Sequence, residues 1–144
     1  MNRDLRILIL CVVAAIAFTG MESESHVWAA QDQTPQVIEM TAKKYEFSPA
    51  VLHVKAGTKL VLKITATDRS HGFAIPTVPD GSPKDAAAGL VLSQPAQKNC
   101  YRLEKGQQVS VEIEAKTPGT YTFKCCVHCG LGHGRMKGEL IVDP

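Results

Sequence analysis

The chain has 144 residues and a formal net charge of +2. That length holds one domain with a modest core and is too short for two. The near-neutral balance, without a basic run, is too mild to imply a nucleic-acid partner, and none is expected.

The first segment reads as an address. Arg3 and Arg6 precede an unbroken apolar run from Ile7 to Phe18, and Val27 and Ala29 offer the small-residue pattern of a cleavage site. The run falls short of the roughly 20 apolar residues of a bilayer span. Residues 1–29 are therefore expected to be a signal peptide, with a membrane anchor through residues 7–18 as the alternative. Either form implies export, to the periplasm or the outer face of the cytoplasmic membrane. Residues 30–36 form a polar linker, and the folded domain is expected over 37–144.

Removing Arg3, Asp4, Arg6, Glu22 and Glu24 leaves 14 cations against 11 carboxylates. Cys11 and Trp28 leave with the same segment. The remainder holds Cys100, Cys125, Cys126 and Cys129, and no tryptophan.

Short stretches of period-two alternation follow. In QVIEMTAKKYEFSP, Ile38, Met40 and Ala42 share a face, and Pro49 closes the segment. AVLHVKAGTKLVLKITAT predicts two strands around Ala56 and Gly57. Leu52 and Val54 lie on one face of the first; Leu60, Leu62 and Ile64 share a face of the second. His53 is out of phase with that apolar face and reads as a solvated histidine. HGFAIP is a short strand stopped by Pro76. The stretch from Pro76 to Lys105 reads as a long connection, with room for a helical turn in KDAAAGLVL. QQVSVEIEA turns Val109, Val111 and Ile113 inward. PGTYTFKC places Tyr121, Phe123 and Cys125 on one face, and GELIVDP closes the chain. Seven or eight short strands without a convincing long helix predict an all-β sandwich.

Between Cys125 and Met136 lie three cysteines, two histidines and a methionine. Exported cysteines ordinarily form disulfides, but a Cys125–Cys126 bridge would be strained and a Cys125–Cys129 bridge would close a very small ring. Metal ligation accounts better for this spacing. Thiolate, imidazole and thioether together suit copper redox sites. The loop is mounted between two expected strands, which favours a rigid site with a small reorganisation cost. Cys100 is left as a free thiol or as a partner of Cys126, itself read as an outward neighbour of the ligands.

The spacing Cys125-x3-Cys129-x3-His133-x2-Met136, with SHGFAIP upstream, resembles the binuclear copper (CuA) domain of cytochrome c oxidase subunit II. The resemblance covers roughly Val37 to Val142 and implies a Greek-key cupredoxin barrel. It implies that Cys125 and Cys129 bridge two copper ions, that His71 and His133 each cap one, and that Met136 is a weak axial ligand. Val127 would contribute its backbone carbonyl as the opposite axial ligand. Three features depart from that family. Val127 stands where a metal-holding glutamate is usual, the mature part lacks the tryptophan of the electron-entry stretch, and paired transmembrane helices are missing. These departures favour a free or singly anchored electron carrier, exchanging electrons with a c-type cytochrome or an oxidase, over an oxidase subunit. No nucleophile–base pair or substrate pocket is legible, so catalysis by this chain alone is not expected, with an accessory subunit of a terminal oxidase or other reductase as the alternative.

Two other arrangements stay open on the same residues. Cys125-x2-His128-x4-His133 resembles nitrosocyanin, in which one copper would use Cys125, His128 and His133 and leave Cys129 and Met136 without roles. Zinc would accept Cys125, Cys129, His133 and His71 and have no use for Met136. A copper storage or delivery protein is the alternative in function.

Overall fold

A computed structural model describes residues 34–94 and 99–144. The proposed signal or anchor, 1–29, lies outside the described residues. No helix among the described residues is long and apolar enough to cross a membrane.

Ten strands follow in chain order: β1 (Gln36–Lys43), β2 (Glu46–Ser48), β3 (Val51–Lys55), β4 (Lys59–Ala66), β5 (His71–Phe73), β6 (Leu90–Leu92), β7 (Tyr101–Leu103), β8 (Gln108–Ala115), β9 (Gly119–Lys124) and β10 (Lys137–Asp143). One sheet has the order β2-β1-β4-β8-β6, a second β3-β10-β9, and β5 and β7 form a separate pair. Two neighbouring pairs, β1–β4 and β3–β10, run parallel. The chain must therefore cross from sheet to sheet instead of meandering, as a Greek-key sandwich requires.

The alternation expected from sequence decides which residues face inward. Leu60, Leu62 and Ile64 of β4 face Ile113, Val111 and Val109 of β8 across the antiparallel register. All but Val109 are buried. Leu52, Val54, Leu140 and Val142 close the second sheet onto the same core. Between the layers the rings of Phe47, Phe73 and Phe123 meet with centroids 5.3–6.0 Å apart. Each ring is essentially inaccessible, and truncating a ring of this kind to alanine costs about 3–5 kcal/mol. This aromatic wedge lies under the metal-ligand candidates, because Phe73 is two residues from His71 and Phe123 two from Cys125.

Three differences from the sequence reading concern short elements. The segment expected as one strand up to Pro49 turns at Lys44–Tyr45 and returns as β2, paired antiparallel to β1. The stretch 76–105 contains β6 and β7, each only three residues long and too short for alternation to register. The expected helical turn reduces to a single turn in which Ala86 N–H donates to the Pro83 carbonyl. Among the described residues ten strands thus replace the seven or eight expected.

Candidate metal centre

The ligand loop hangs from two paired strands. In the β9–β10 register Lys124 stands opposite Lys137 and Phe123 opposite Gly138. One residue further on, Cys125 N–H donates to the Met136 carbonyl at 2.9 Å, which closes the loop at its neck. A 3-10 turn at His133–Arg135 folds the distal part back, with Met136 N–H donating to the His133 carbonyl. The upstream histidine arrives on β5. Ala74 and Lys124 exchange both backbone hydrogen bonds, and Gly72 N–H donates to Cys125 Sγ at 3.4 Å.

Cys125 Sγ, Cys129 Sγ and a His71 ring nitrogen all lie within 4.8 Å of one another, each buried. The two sulfurs are 3.8 Å apart. Cys129 Sγ is also 3.7 Å from His133 Nδ1 and 3.8 Å from Met136 Sδ. On the other side the Cys125 thiol donates to the Val127 carbonyl at 3.1 Å. Contacts of 3.1–3.8 Å thus link Cys125, Val127, Cys129, His133 and Met136, and His71 lies within 4.8 Å of both sulfurs. His128 stands apart from them: it is exposed, and its ring centroid is 5.6 Å from that of His133.

The remaining cysteines are settled by a disulfide. Cys100 and Cys126 are bonded, and among the described residues Cys125 and Cys129 are the free thiols. Of the two readings left open for Cys100, the bridge is the one found. It ties the 76–105 excursion to the residue after Cys125 and removes Cys126 from the pool of soft ligands.

The donors fit a soft or borderline metal. His71 is completely buried, and its Nε2 lies 2.7 Å from Asp68 Oδ1. An ionised carboxylate only accepts, so Nε2 carries the proton and Nδ1 keeps its lone pair. That Nδ1 has no hydrogen-bond partner among the described residues. A buried, unpartnered acceptor beside two free thiols is costly unless a cation meets it. Burial raises the Asp68 carboxyl pKa, but the hydrogen bonds from His71 and the Lys44 N–H outweigh it and the net shift is downward. Burial pushes the Cys129 thiol up to about 11, and the adjacent Cys125 adds to the shift. Without a metal, Cys129 is therefore a protonated thiol at neutral pH, and a metal taken up there must displace protons.

Several residues important to this geometry were not singled out from sequence. Asp68 orients His71 from three positions upstream, and Arg69 donates to the Cys129 carbonyl at 2.9 Å. Tyr45, at the β1–β2 turn, covers the ligand loop so closely that a Cβ at Gly132 would enter its ring. Gly130, with φ of +122°, faces the same tyrosine. The D-x-x-H spacing of Asp68 and His71 was a usable signal; nothing in the sequence placed Tyr45 over residues 130–132.

The profile of the family described as "Cupredoxin-like domain" matches residues 8–142. A cytochrome c oxidase subunit 2 of Thermus thermophilus is 27% identical over 105 residues, which is 73% of this chain and 64% of that protein. A second subunit 2 sequence from the same species matches at the same identity, over 51% of its length. The chain thus spans less than two thirds of the relatives it matches. Among solved structures, the periplasmic domain of cytochrome oxidase subunit II of Bradyrhizobium japonicum superposes with a TM-score of 0.56 at 14% identity, over 76% of this chain and 85% of that one. Auracyanin A, a "blue" copper protein of Chloroflexus aurantiacus, gives 0.55 at 20% identity, over 76% and 100%. Both likenesses speak to the fold.

Proposed function

The chain belongs to the cupredoxin-like domain family, and from that premise we propose that it is an exported one-electron carrier built to hold a thiolate-bridged pair of copper ions. Cys125 and Cys129 would be shared between the two ions, His71 and His133 would each serve one, and Met136 and the Val127 carbonyl would complete the set. When bound, copper would supply a one-electron redox couple.

The chain's own residues hold the donors still. Asp68 fixes the tautomer and ring plane of His71, so Nδ1 keeps its lone pair free for a metal. The Cys125–Met136 backbone bond fixes the loop neck, and Tyr45 packs over the loop's glycines. Burial of Cys125, Cys129 and Met136, none more than 3% exposed, excludes water. Donors set in a close-packed frame move little between oxidation states. The same burial argues against a delivery protein, whose donors must be reachable for exchange.

The observation that carries the binuclear reading is the central position of Cys129. Its sulfur is within 3.8 Å of Cys125, His133 and Met136 at once. A single-copper site on Cys125, His128 and His133 would leave that sulfur idle. Replacement tests the difference. Cys129→Ser should abolish the copper absorption bands of the native type, whereas His128→Ala should leave them unchanged. The opposite pattern would establish the mononuclear site. Support for export and for a cytochrome or oxidase partner comes from the leader-like first segment and from the relatives named above.

A further inference from the structure

The lysines and arginines of this chain read from sequence as a plain solubilising surface, but their placement is uneven. The segment Lys124–Lys137, which contains five of the six donors, holds three cations and no carboxylate. All three, Lys124, Arg135 and Lys137, are exposed, and Lys124 and Lys137 are cross-strand partners at the loop neck. Two further exposed cations reach the same end from other loops. Arg69 is bonded to the Cys129 carbonyl, and Lys44 adjoins the Tyr45 that covers Gly130 and Gly132. Lys44, Lys124, Arg135 and Lys137 form no ion pair among the described residues.

Of the carboxylates nearby, Glu139 is exposed two residues along β10 from Lys137 and forms no ion pair among the described residues, so it lowers the positive charge there without cancelling it; the others are already engaged. Asp68 faces His71 and the Lys44 N–H, Glu46 pairs with Lys43 at 3.0 Å, and Glu104 pairs with Arg102 at 2.6 Å. At the far end of β10 the charges are mixed: Asp143 lies beside His53, and Lys59 stands opposite Glu114. Within the same Lys124–Lys137 segment Leu131 is fully exposed, two residues from the half-buried His133.

We propose that this end docks a redox protein that surrounds its own apolar contact spot with carboxylates. The inference rests on the electron-carrier reading and adds the sign of the partner's charge. Unpaired cations around a site steer an anionic partner and raise its encounter rate by about 10-fold or more at low salt. A small apolar centre with a polar rim permits contact without long residence. A membrane fits less well, since one leucine supplies little area to bury in lipid.

The test uses two redox-inert chromium(III) ions of equal and opposite charge, so it does not depend on copper. Hexacyanochromate(III), added to the 15N-labelled full chain, should broaden amides around 44, 69 and 131–137, while hexaamminechromium(III) should not. Equal broadening by both ions there, or preferential action of the anion at Lys55 and Lys59, would overturn the proposal. In the copper-loaded protein, oxidation by ferricyanide should slow as salt rises. The variant Lys124→Gln/Arg135→Gln/Lys137→Gln should lose about 10-fold of the low-salt rate with its absorption spectrum intact. A salt-independent rate, or binding of phosphatidylglycerol vesicles through the same residues without any effect on ferricyanide oxidation, would also overturn it. If copper fails to bind but the anion still maps to this end, the docking surface stands and the binuclear reading falls.

Discussion

His71 is completely buried, its Nε2 is held by Asp68, and its Nδ1 meets no donor among the described residues. The pair is a ligand with its orienting carboxylate, and such outer partners typically account for about 10–100-fold in metal affinity. Asp68→Asn should therefore weaken copper retention by about that factor in a chelator competition, because an amide can present its N–H to Nε2 and free the wrong tautomer. Asp68→Glu should recover part of the loss, and equal retention in all three proteins would refute the role. The second residue-scale consequence concerns Cys129. Its folded thiol holds a proton up to about 11, whereas the unfolded thiol ionises near the ordinary 9.0. Between those values the unfolded state binds fewer protons, so the metal-free, reduced protein should lose stability as pH rises through that window. Urea midpoints at pH 8 and pH 10 check this. The drop should shrink in metal-free Cys129→Ser, and a midpoint that does not fall would contradict the account.

At the scale of elements, the β9–β10 arms and the loop between them form a mount whose neck is closed by backbone hydrogen bonds and whose base is the Phe47–Phe73–Phe123 wedge. The Cys100–Cys126 bridge adds a second anchor, joining residues 26 apart in sequence. Closing a loop of that length removes unfolded-state entropy worth about 3–4 kcal/mol. The double variant Cys100→Ser/Cys126→Ser should be less stable by about that amount in denaturant unfolding, yet should keep the copper absorption, because neither sulfur is among the donors. Loss of the absorption at temperatures where the variant is folded would make Cys126 a ligand after all.

For the molecule as a whole, alternation revealed the long strands because one face of each is buried: Leu60–Leu62–Ile64 and Val111–Ile113 are legible as sequence and buried in the fold. β6 and β7 escaped notice because three residues cannot display a period. The donor set was legible because one loop carries nearly all of it at fixed offsets. The residues that hold the donors were less so: the Asp68–His71 spacing was a usable signal and Cys100 was left as one possible partner of Cys126, but nothing placed Tyr45 over the loop. Only the crossing of chains between sheets brings them together.

The central claim is that this chain holds two copper ions that share two thiolates. Metal analysis combined with electron paramagnetic resonance of the copper-loaded protein tests it most directly. The account predicts two coppers per chain and a seven-line mixed-valence hyperfine pattern; one copper per chain with a four-line pattern would contradict it.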